Sequence, residues 1–456
     1  MKILKTVFVA SVISACLSIN VFADINFSGK VGTDIAIAAP WTKNSGSFVI
    51  GDIFVDGKLN YYTGNSSLVV DGSLKYDLVK ATSPEYTVDF ISGMNAFTGK
   101  IREAYFDYNG SFWALRVGRQ ISMWGAADNF IVSNVLCPVD ESNISSLDVS
   151  DKMLGIDALK LSFNNDFLIA DLYWIPFFTP SSLPIENGNP LKKMMIPSSV
   201  EIPGMGKTAI KDFTSSDITL PELSLLSGEY GARISTYFSF ADFSLYGFYG
   251  WDDSPFIAYE YDGSDIQLKG SYKRLLMIGA DSSIPAGPVT IRLETSFYPQ
   301  RYFGISAEKQ LAEQITQLMT DGTIDHSKVK TCEQHDQLCA LVGIDWMSGD
   351  WTITAQYFAD YVFGDVSNLD RKAFDHKASL SIGYSIVQAN IDLNVACIVD
   401  FVDFDSAVVA SVEYGLTDQF KICAQGYLLN AGLERNGTYG KLKDFSCLKL
   451  NASYSF

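Results

Sequence analysis

Beyond the first 23 residues, the sequence lacks any apolar run near the roughly 20 residues that a membrane-spanning helix needs. Charged residues are also scarce, at 19% of the chain, although hydrophobic residues make up 47% and aromatic residues 13%. Apolar content without apolar runs is typical of strands in which apolar and polar residues alternate. The sequence therefore excludes a helical membrane protein and favours β-structure.

Catalytic and metal-binding patterns are equally scarce. The histidines are His326 and His335, in a polar connection, and His376, near the start of a strand; none stands at a recognisable spacing from a catalytic serine or carboxylate. The sequence has neither a His-Glu-x-x-His zinc motif nor a glycine-rich phosphate loop. We therefore expect no enzymatic activity, no cofactor and no metal site.

Positive charge is in deficit. The chain holds 34 basic and 52 acidic residues, and removal of Lys2 and Lys5 with residues 1–23 leaves 32 basic residues and a net charge of −20. Binding to nucleic-acid phosphates needs the opposite sign. We expect no nucleic-acid partner.

The amino terminus resembles a secretory signal peptide. A basic start is followed by an apolar core from Val7 to Ile13, and the segment ends in a cleavage site after Ala23. An alternative is a lipoprotein, because Cys16 follows a loose lipid-attachment box; the apolar run that continues past it argues against lipidation. We expect residues 1–23 to be removed and 24–456 to form one domain.

Alternation with period two recurs along the mature chain. The apolar series include Ile25, Phe27, Val31, Ile35 and Ile37, then Val289, Ile291, Leu293 and Phe297, and then Ile391, Leu393, Val395 and Val399. Polar and charged residues occupy the positions between them. This pattern predicts strands with one apolar and one polar face, and no helix presents it.

The last strand, 446–456, alternates without a break and ends on Phe456, two residues after Tyr454. A terminal aromatic strand of this kind resembles the signal that outer-membrane β-barrel proteins present to their insertion machinery. The resemblance implies Tyr454 and Phe456 as an insertion signal, and an outer membrane of a diderm (Gram-negative type) bacterium as the location.

The connections fall into two sizes, short turns such as 63–66 and 348–350 and long loops such as 120–154 and 176–228. Short turns on one side and long loops on the other are typical of a bacterial outer-membrane barrel with its short side in the periplasm. The predicted fold is all-β, a transmembrane antiparallel β-barrel of about eighteen strands, with sixteen as the alternative. The predicted strands begin near residues 25, 52, 67, 100, 111, 155, 166, 229, 241, 274, 287, 339, 350, 375, 388, 404, 418 and 445.

So wide a barrel holds a water-filled lumen that loops must narrow. The segments 120–154 and 176–228 suit that task, and we expect at least one of them to fold inward. In the first, Trp124, Asp128 and Asp140 are the predicted constriction residues. In the second, repeated prolines predict that no further strands form.

One stretch carries a recognisable motif, which consists of Arg102-Glu-Ala-Tyr-Phe-Asp-Tyr108, the strand end Arg116-Val-Gly-Arg-Gln120, the pair Trp124-Gly125, Asp128 and Pro138-x-Asp140. It resembles porin-like outer-membrane families related to alginate-export-type and substrate-specific channels. The resemblance covers about forty residues. It implies a channel without indicating which solute passes.

Alternation predicts which charges face the lumen. The predicted pore-lining residues are Glu103, Asp107, Arg116, Arg119, Arg233, Arg292 and Glu294. Opposed charges on neighbouring strands have two interpretations: a transverse field that orients dipolar or polyhydroxylated solutes, or a salt bridge that braces the wall. Over the wider set of charges predicted to face the lumen, both signs occur with acids in modest excess, so we expect weak cation preference or passage of neutral solutes.

Two smaller features complete the predictions. Cys332 and Cys339 are a candidate loop disulfide, and Cys423 and Cys447, on the last two strands, are a weaker candidate pair. The segment 306–319 is the clear helix candidate, with Ser306 as its cap, Gly322 as its end and packing on the barrel rim as its expected role.

The leading functional hypothesis is an outer-membrane porin for passive diffusion of small hydrophilic solutes. The alternatives are a surface-exposed adhesin or host-interaction barrel, and a transporter of hydrophobic compounds. The expected partners are outer-membrane lipids, the barrel-insertion machinery and a small-molecule solute. Monomer and trimer both stay open.

Overall fold

The structure, a computed structural model, describes residues 24–82, 96–142, 152–187, 189, 191–202, 204–433 and 437–456. The expected signal peptide and its cleavage site lie outside these residues, apart from the mature start at Asp24. Across the described residues, no helix is long and apolar enough to cross a membrane.

Eighteen strands of the described chain form one antiparallel sheet. Numbering all strands in chain order, these are β1 (Asp24–Ala38), β2 (Phe48–Thr63), β3 (Ser66–Asp77), β4 (Phe97–Asn109), β5 (Trp113–Gln120), β6 (Ile156–Asn164), β7 (Leu168–Ile175), β11 (Glu229–Tyr237), β12 (Asp242–Trp251), β15 (Arg274–Ala286), β16 (Val289–Gly304), β17 (Cys332–Ser348), β18 (Trp351–Val362), β19 (Phe374–Ile386), β20 (Ile391–Asp400), β21 (Ser406–Gly415), β22 (Phe420–Asn430) and β23 (Cys447–Ser455). Because β1 pairs with both β2 and β23, the sheet closes on itself. The predicted eighteen-stranded barrel is confirmed, and the sixteen-stranded alternative is wrong.

The predicted strand starts agree with the observed ones to within a few residues. The largest differences are at β2, which begins at Phe48 rather than near 52, and at β17, which begins at Cys332 rather than near 339. The early part of β17 reads Cys-Glu-Gln-His-Asp-Gln, with polar residues on both faces. That part lacks the alternation by which the other strands were recognised.

The two faces of the barrel differ as the alternation predicts. On β16, Leu293 and Phe297 are exposed on the outer face, whereas Glu294 and Ser296 are 3% and 0% exposed on the inner one. Other outward residues, such as Leu245 and Ile278, are also exposed and apolar. A closed sheet with an apolar exterior satisfies its backbone internally, as hydrocarbon requires.

The two ends of the barrel also differ. At one end the strands join through short turns such as 64–65, 287–288 and 349–350, and at the other through long loops. We call these the short-turn end and the long-loop end.

Three long connections, 176–228, 252–273 and 305–331, pack together at the long-loop end, and we call them the cap. Their described residues form the hairpin β8 (Ser199–Ile202) and β9 (Gly206–Ala209), the sheet β10 (Ile218–Thr219), β14 (Ile266–Ser271) and β13 (Phe256–Tyr261), and helix α3 (Ala307–Asp321). A hydrophobic core that includes Ile202, Phe213, Ile266, Leu311 and Ile315 joins them. The prediction that prolines exclude strands from 176–228 is wrong, because β8 and β9 run between the proline positions.

The remaining regular elements are short. They are the helices α1 (Leu78–Thr82), α2 (Lys192–Met195) and α4 (Thr438–Lys441), and single 3₁₀ turns at 215–217, 225–227, 326–328, 387–389 and 443–445. The predicted helix 306–319 is confirmed as α3. It ends at Gly322, whose φ of 70° suits glycine, but Ser306 makes no side-chain capping bond.

Both candidate disulfides are wrong, because the structure holds these cysteines as free thiols. Cys332 and Cys339 lie seven residues apart on the single strand β17, a separation of roughly 20 Å at the usual rise per residue. Cys423 pairs in register with Asn451, four residues away from Cys447 along β23. Neither pair can approach bonding distance.

One histidine is also placed differently from the prediction. His335 lies on β17 rather than in a loop, and its Nδ1 is 3.0 Å from the carbonyl oxygen of Phe363. His326 begins a 3₁₀ turn, and His376 lies on β19, as expected.

Candidate functional site

Residues 121–142, which we call the inner loop, leave β5 and pack on the inward side chains of the opposite wall. The indole of Trp124 stacks on Tyr246 of β12 at 5.0 Å between ring centroids and meets Tyr173 of β7 edge-on at 5.8 Å. On these two strands the alternate residues Leu245 and Leu172 are exposed on the outer face. The inner loop therefore lies inside the barrel.

A buried carboxylate of the wall holds the bend of this loop. Glu294 of β16, 3% exposed, accepts hydrogen bonds from the backbone N–H groups of Ala126, Ala127 and Ser133 at 2.7, 2.9 and 2.8 Å. Three converging N–H dipoles stabilise an anion that burial would otherwise disfavour. Glu294 is thus an anchor for the loop rather than a residue in contact with solute.

Arg292, two residues earlier on the same face, fixes the tip of the loop. Its guanidinium donates two bonds to the carboxylate of Asp128 at 3.0 and 2.7 Å, one to the carbonyl oxygen of Ala126 at 2.7 Å, and one to Asp345 of β17 at 2.6 Å. Asp128 also accepts a bond from Gln356 of β18 at 3.1 Å. The predicted pore residue Arg292 and the predicted constriction residue Asp128 are thus direct partners.

One carbonyl oxygen gives a third attachment. The hydroxyl groups of Ser296 and Tyr298 both donate to the carbonyl oxygen of Val132, at 2.6 and 2.7 Å. Beside it, the rings of Phe130 and Phe358 stack at 5.3 Å. The loop is therefore bonded to one wall from Gly125 to Ser133.

Gly125 permits this close approach. Its φ is 91°, and a Cβ built there would lie 2.1 Å from an oxygen of Glu294. Only glycine combines that backbone conformation with contact between the backbone and the carboxylate. The Trp-Gly pair of the motif therefore has two distinct roles, ring packing and close approach.

The base of the loop is held from the near wall. The N–H of Ile121 donates to Glu103 of β4 at 3.1 Å, and Lys100 of β4 forms an ion pair with Asp140. Burial raises the pKa of Asp140, but its bonds from Lys100 and Ser142 outweigh that effect, and the net pKa lies below the usual range. The third predicted constriction residue therefore closes the base of the loop.

The wall beside the base, β2 to β5, carries paired charges. Arg116 donates two bonds to Asp107, its register partner on β4, at 2.7 and 2.9 Å, and lies 4.0 Å from the ring of Tyr105. Of the two interpretations left open above, this geometry favours the bridge that braces the wall. A transverse field from this pair would need the partners on opposite sides of the lumen.

A β-bulge adds a charge to this wall that alternation could not predict. The register between β3 and β4 skips Arg102, so Arg102 and Glu103 both face inward. Arg102 bonds to Asp71 at 2.7 Å and lies 3.6 Å from Asp56. Nothing in the sequence marks the position of the bulge.

The two remaining predicted pore residues are also bonded within the wall. Arg119 has the opposite strand parity to Arg116 and donates two bonds, both 2.9 Å, to buried Asp157 of β6, so its prediction as a pore-lining residue is not supported. Arg233 faces inward on β11, 3.4 Å from the hydroxyl of Ser244 and 5.7 Å from the ring of Tyr246.

Within the described ranges, no three histidine, cysteine, aspartate or glutamate side chains cluster in a way that would hold a metal ion. Burial raises the pKa of the Cys137 thiol of the inner loop to about 12, which keeps it protonated and unreactive.

Two of the similar solved structures share the fold at a TM-score of 0.50 or above. Over 95% of this chain, OccK8 (OprE) of Pseudomonas aeruginosa matches with a TM-score of 0.51 at 9% identity, covering 98% of its own chain. OccAB1 of Acinetobacter baumannii matches over 95% of this chain and 96% of its own, with a TM-score of 0.50 and 8% identity. The outer membrane channel DcaP of Acinetobacter baumannii matches over 95% of this chain and 97% of its own, with a TM-score of 0.43 and 13% identity. The expected likeness to porin-type outer-membrane barrels is confirmed at the level of the fold.

No curated protein matches this chain in sequence. A family model matches residues 37–456, from the end of the first barrel strand through the last strand. The chain therefore belongs to the family described as "Protein of unknown function (DUF1302)".

Proposed function

We propose that this protein is an outer-membrane channel for passive diffusion of small hydrophilic solutes, narrowed by the inner loop. The observation that carries the proposal is a closed barrel with an apolar exterior whose interior holds a loop bonded to one wall. A barrel of this width is not filled by its own side chains. With the loop on the side of β12 and β16 to β18, the solute path runs along the opposite wall.

The proposal includes the setting of the barrel. The long-loop end faces the outside of a diderm bacterium and the short-turn end faces the periplasm. Outer-membrane lipids cover the apolar exterior, and the barrel-insertion machinery recognises the last strand through Tyr454 and Phe456. In support, Phe456 lies beside Phe27 on the outer face, with 5.7 Å between ring centroids.

Paired charges along the wall favour weak ion selectivity. In the pairs of the wall from β2 to β5 the base is more exposed than the acid, as in Lys75 and Asp52, with side-chain exposures of 38% and 11%, and in Arg102 and Asp71, with 42% and 14%. Long basic side chains therefore reach into the lumen while their partners stay at the wall. Neutral solutes meet little net field from such pairs.

Reconstitution into planar lipid bilayers tests the proposal. We expect the conductance to rise in steps. Uncharged polymers too large to enter the solute path should leave this conductance unchanged. The reversal potential in a salt gradient should be small. Heat-unfolded protein at the same concentration is the control. Correctly folded protein without conductance steps would refute the channel.

A further inference from the structure

A cavity of about 440 Å³ opens at the long-loop end between the cap and the barrel wall. Its lining is connected to the attachment of the inner loop through Tyr298. Arg301, which lines it, lies 4.9 Å from the ring of Tyr298, and the hydroxyl of Tyr298 donates to Val132 of the loop. A solute in this cavity would therefore be held at the entrance to the constriction.

Arg301 forms the inner side of the cavity. Two of its N–H groups donate to Asp252, at 3.0 and 2.7 Å, and a third donates to Gln337 at 2.9 Å. A guanidinium carries five N–H groups, so further donors stay available beside the bound carboxylate.

Arg371 forms the outer side. It donates to Asp360 at 3.1 Å and to the carbonyl oxygen of Lys372 at 3.2 Å. The ring of Phe303 lies between the two arginines, 5.9 Å from Arg301 and 5.3 Å from Arg371. Donors, acceptors and an aromatic ring thus share one small volume.

The charges of the lining decide the class of ligand. The lining holds two arginines against three aspartates, Asp252, Asp360 and the exposed Asp370. Each arginine is already paired, so the cavity as a whole does not favour an anion. Adjacent N–H donors and carboxylate acceptors instead match hydroxyl groups, since each hydroxyl both donates and accepts.

We infer that this cavity binds a small, uncharged polyhydroxylated solute, such as one or two sugar rings, before it passes the inner loop. Its role in uptake depends on the proposed channel. The volume lies within the roughly 300–1,000 Å³ typical of small-molecule sites. The weakly positive C–H groups of a sugar face can pack on the negative faces of Phe303 and Tyr302, which also line the cavity.

Calorimetric titration of the full chain in detergent, with three hexoses of equal size, tests the charge argument. We expect glucose to bind, glucosamine to bind comparably, and glucuronate to bind about tenfold more weakly, because the lining already holds one aspartate more than it holds arginines. Maltose, with a second ring, should bind more tightly than glucose. Glucuronate binding as tightly as glucose, or no sugar binding at all, would overturn the inference.

Two variants and a matched control place the site. Arg371→Ala should weaken glucose binding about tenfold, whereas Lys372→Ala, which removes the same charge from an adjacent residue outside the cavity lining, should change it less than twofold. Asp370→Asn should strengthen the binding of glucuronate and leave the affinity for glucose unchanged. If Arg371→Ala does not fold, this variant tests whether the cavity is the binding site. Unchanged affinity for glucose in Arg371→Ala would overturn the site.

The bilayer experiment separates the two proposals. Protein that conducts but binds none of the sugars leaves the channel standing and refutes the sugar site. Protein that binds glucose through Arg371 but never conducts refutes the channel and supports the site.

Discussion

The inner loop and the cap are both long connections, but the inner loop packs on the barrel wall and the cap packs on itself. Helices and named strands are absent from the described inner loop, 121–142, and polar contacts tie it to Arg292, Glu294 and Tyr298 of the wall. The cap has strands, a helix and a hydrophobic core of its own. The inner loop is ordered by polar and aromatic side chains of the wall, whereas the cap buries apolar surface within its own core.

Buried glutamines show how the cap organises itself. Gln310 and Gln314, one helical turn apart on α3, are both 0% exposed. Gln310 accepts a bond from the N–H of Tyr259 at 3.1 Å, and Gln314 accepts one from Tyr261 at 2.9 Å and donates to the carbonyl oxygen of Tyr259 at 2.6 Å. The two amides satisfy the edge of β13 as a neighbouring strand would.

The largest expected effect is that of Glu294→Ala on the inner loop. Three buried N–H groups of the loop would lose their acceptor, at a cost of about 3 kcal/mol or more. We expect larger and noisier single-channel conductance, with the cap unchanged in hydrogen exchange. Glu413→Gln, a lumen carboxylate on β21 paired with Lys421, is the matched control and should leave conductance near that of the wild type. Unaltered conductance in Glu294→Ala would show that the wall does not hold the loop.

Gly125→Ala should displace the same loop by a steric route. The added methyl group would clash with Glu294 in a backbone conformation that alanine adopts only with strain, at a cost of about 1–3 kcal/mol. The expected result is increased proteolysis of the inner loop in folded barrels. Gly287→Ala, also at positive φ but in a short turn with open space around its Cβ, controls for strain alone. Equal proteolysis of both variants would contradict the steric role.

Gln314→Leu tests how the cap is ordered. Leucine leaves the edge of β13 with unpaired backbone groups, at a cost of about 1–3 kcal/mol. Faster hydrogen exchange across β13 and α3 is expected, with single-channel conductance unchanged. Lys309→Leu, on the exposed face of the same helix, should leave exchange as it is. A conductance change in Gln314→Leu would mean that the cap and the inner loop are coupled.

The sequence allowed the barrel to be predicted better than its contents. Strands such as β16 can be predicted because the alternation of apolar and polar residues shows which face of the sheet each residue lies on. The attachments of the inner loop cannot be predicted in this way, because Glu294 accepts hydrogen bonds from Ala126 and Ser133, which are more than 160 residues away in the sequence. The sequence predicted that at least one of the segments 120–154 and 176–228 folds inward, but neither which one nor its backbone partners. The bulge at Arg102 and the extension of β17 to Cys332 were missed because neither has a local pattern.

The smallest expected effect concerns the base of the inner loop. Asp140 has a pKa below its usual range, so its ionised form favours the folded state. That contribution is complete above the ordinary carboxyl pKa of about 4 and is lost as the pH falls through the lowered value. Because Lys100 is half exposed, the ion pair contributes no more than about 1 kcal/mol. The protection of residues 137–142 from hydrogen exchange, relative to an unfolded chain at the same pH, should therefore fall slightly below about pH 4 in the wild type. In Lys100→Met this protection should already be lower at neutral pH and should change less on acidification. An identical pH profile of protection in both proteins would show that the pair does not hold the base.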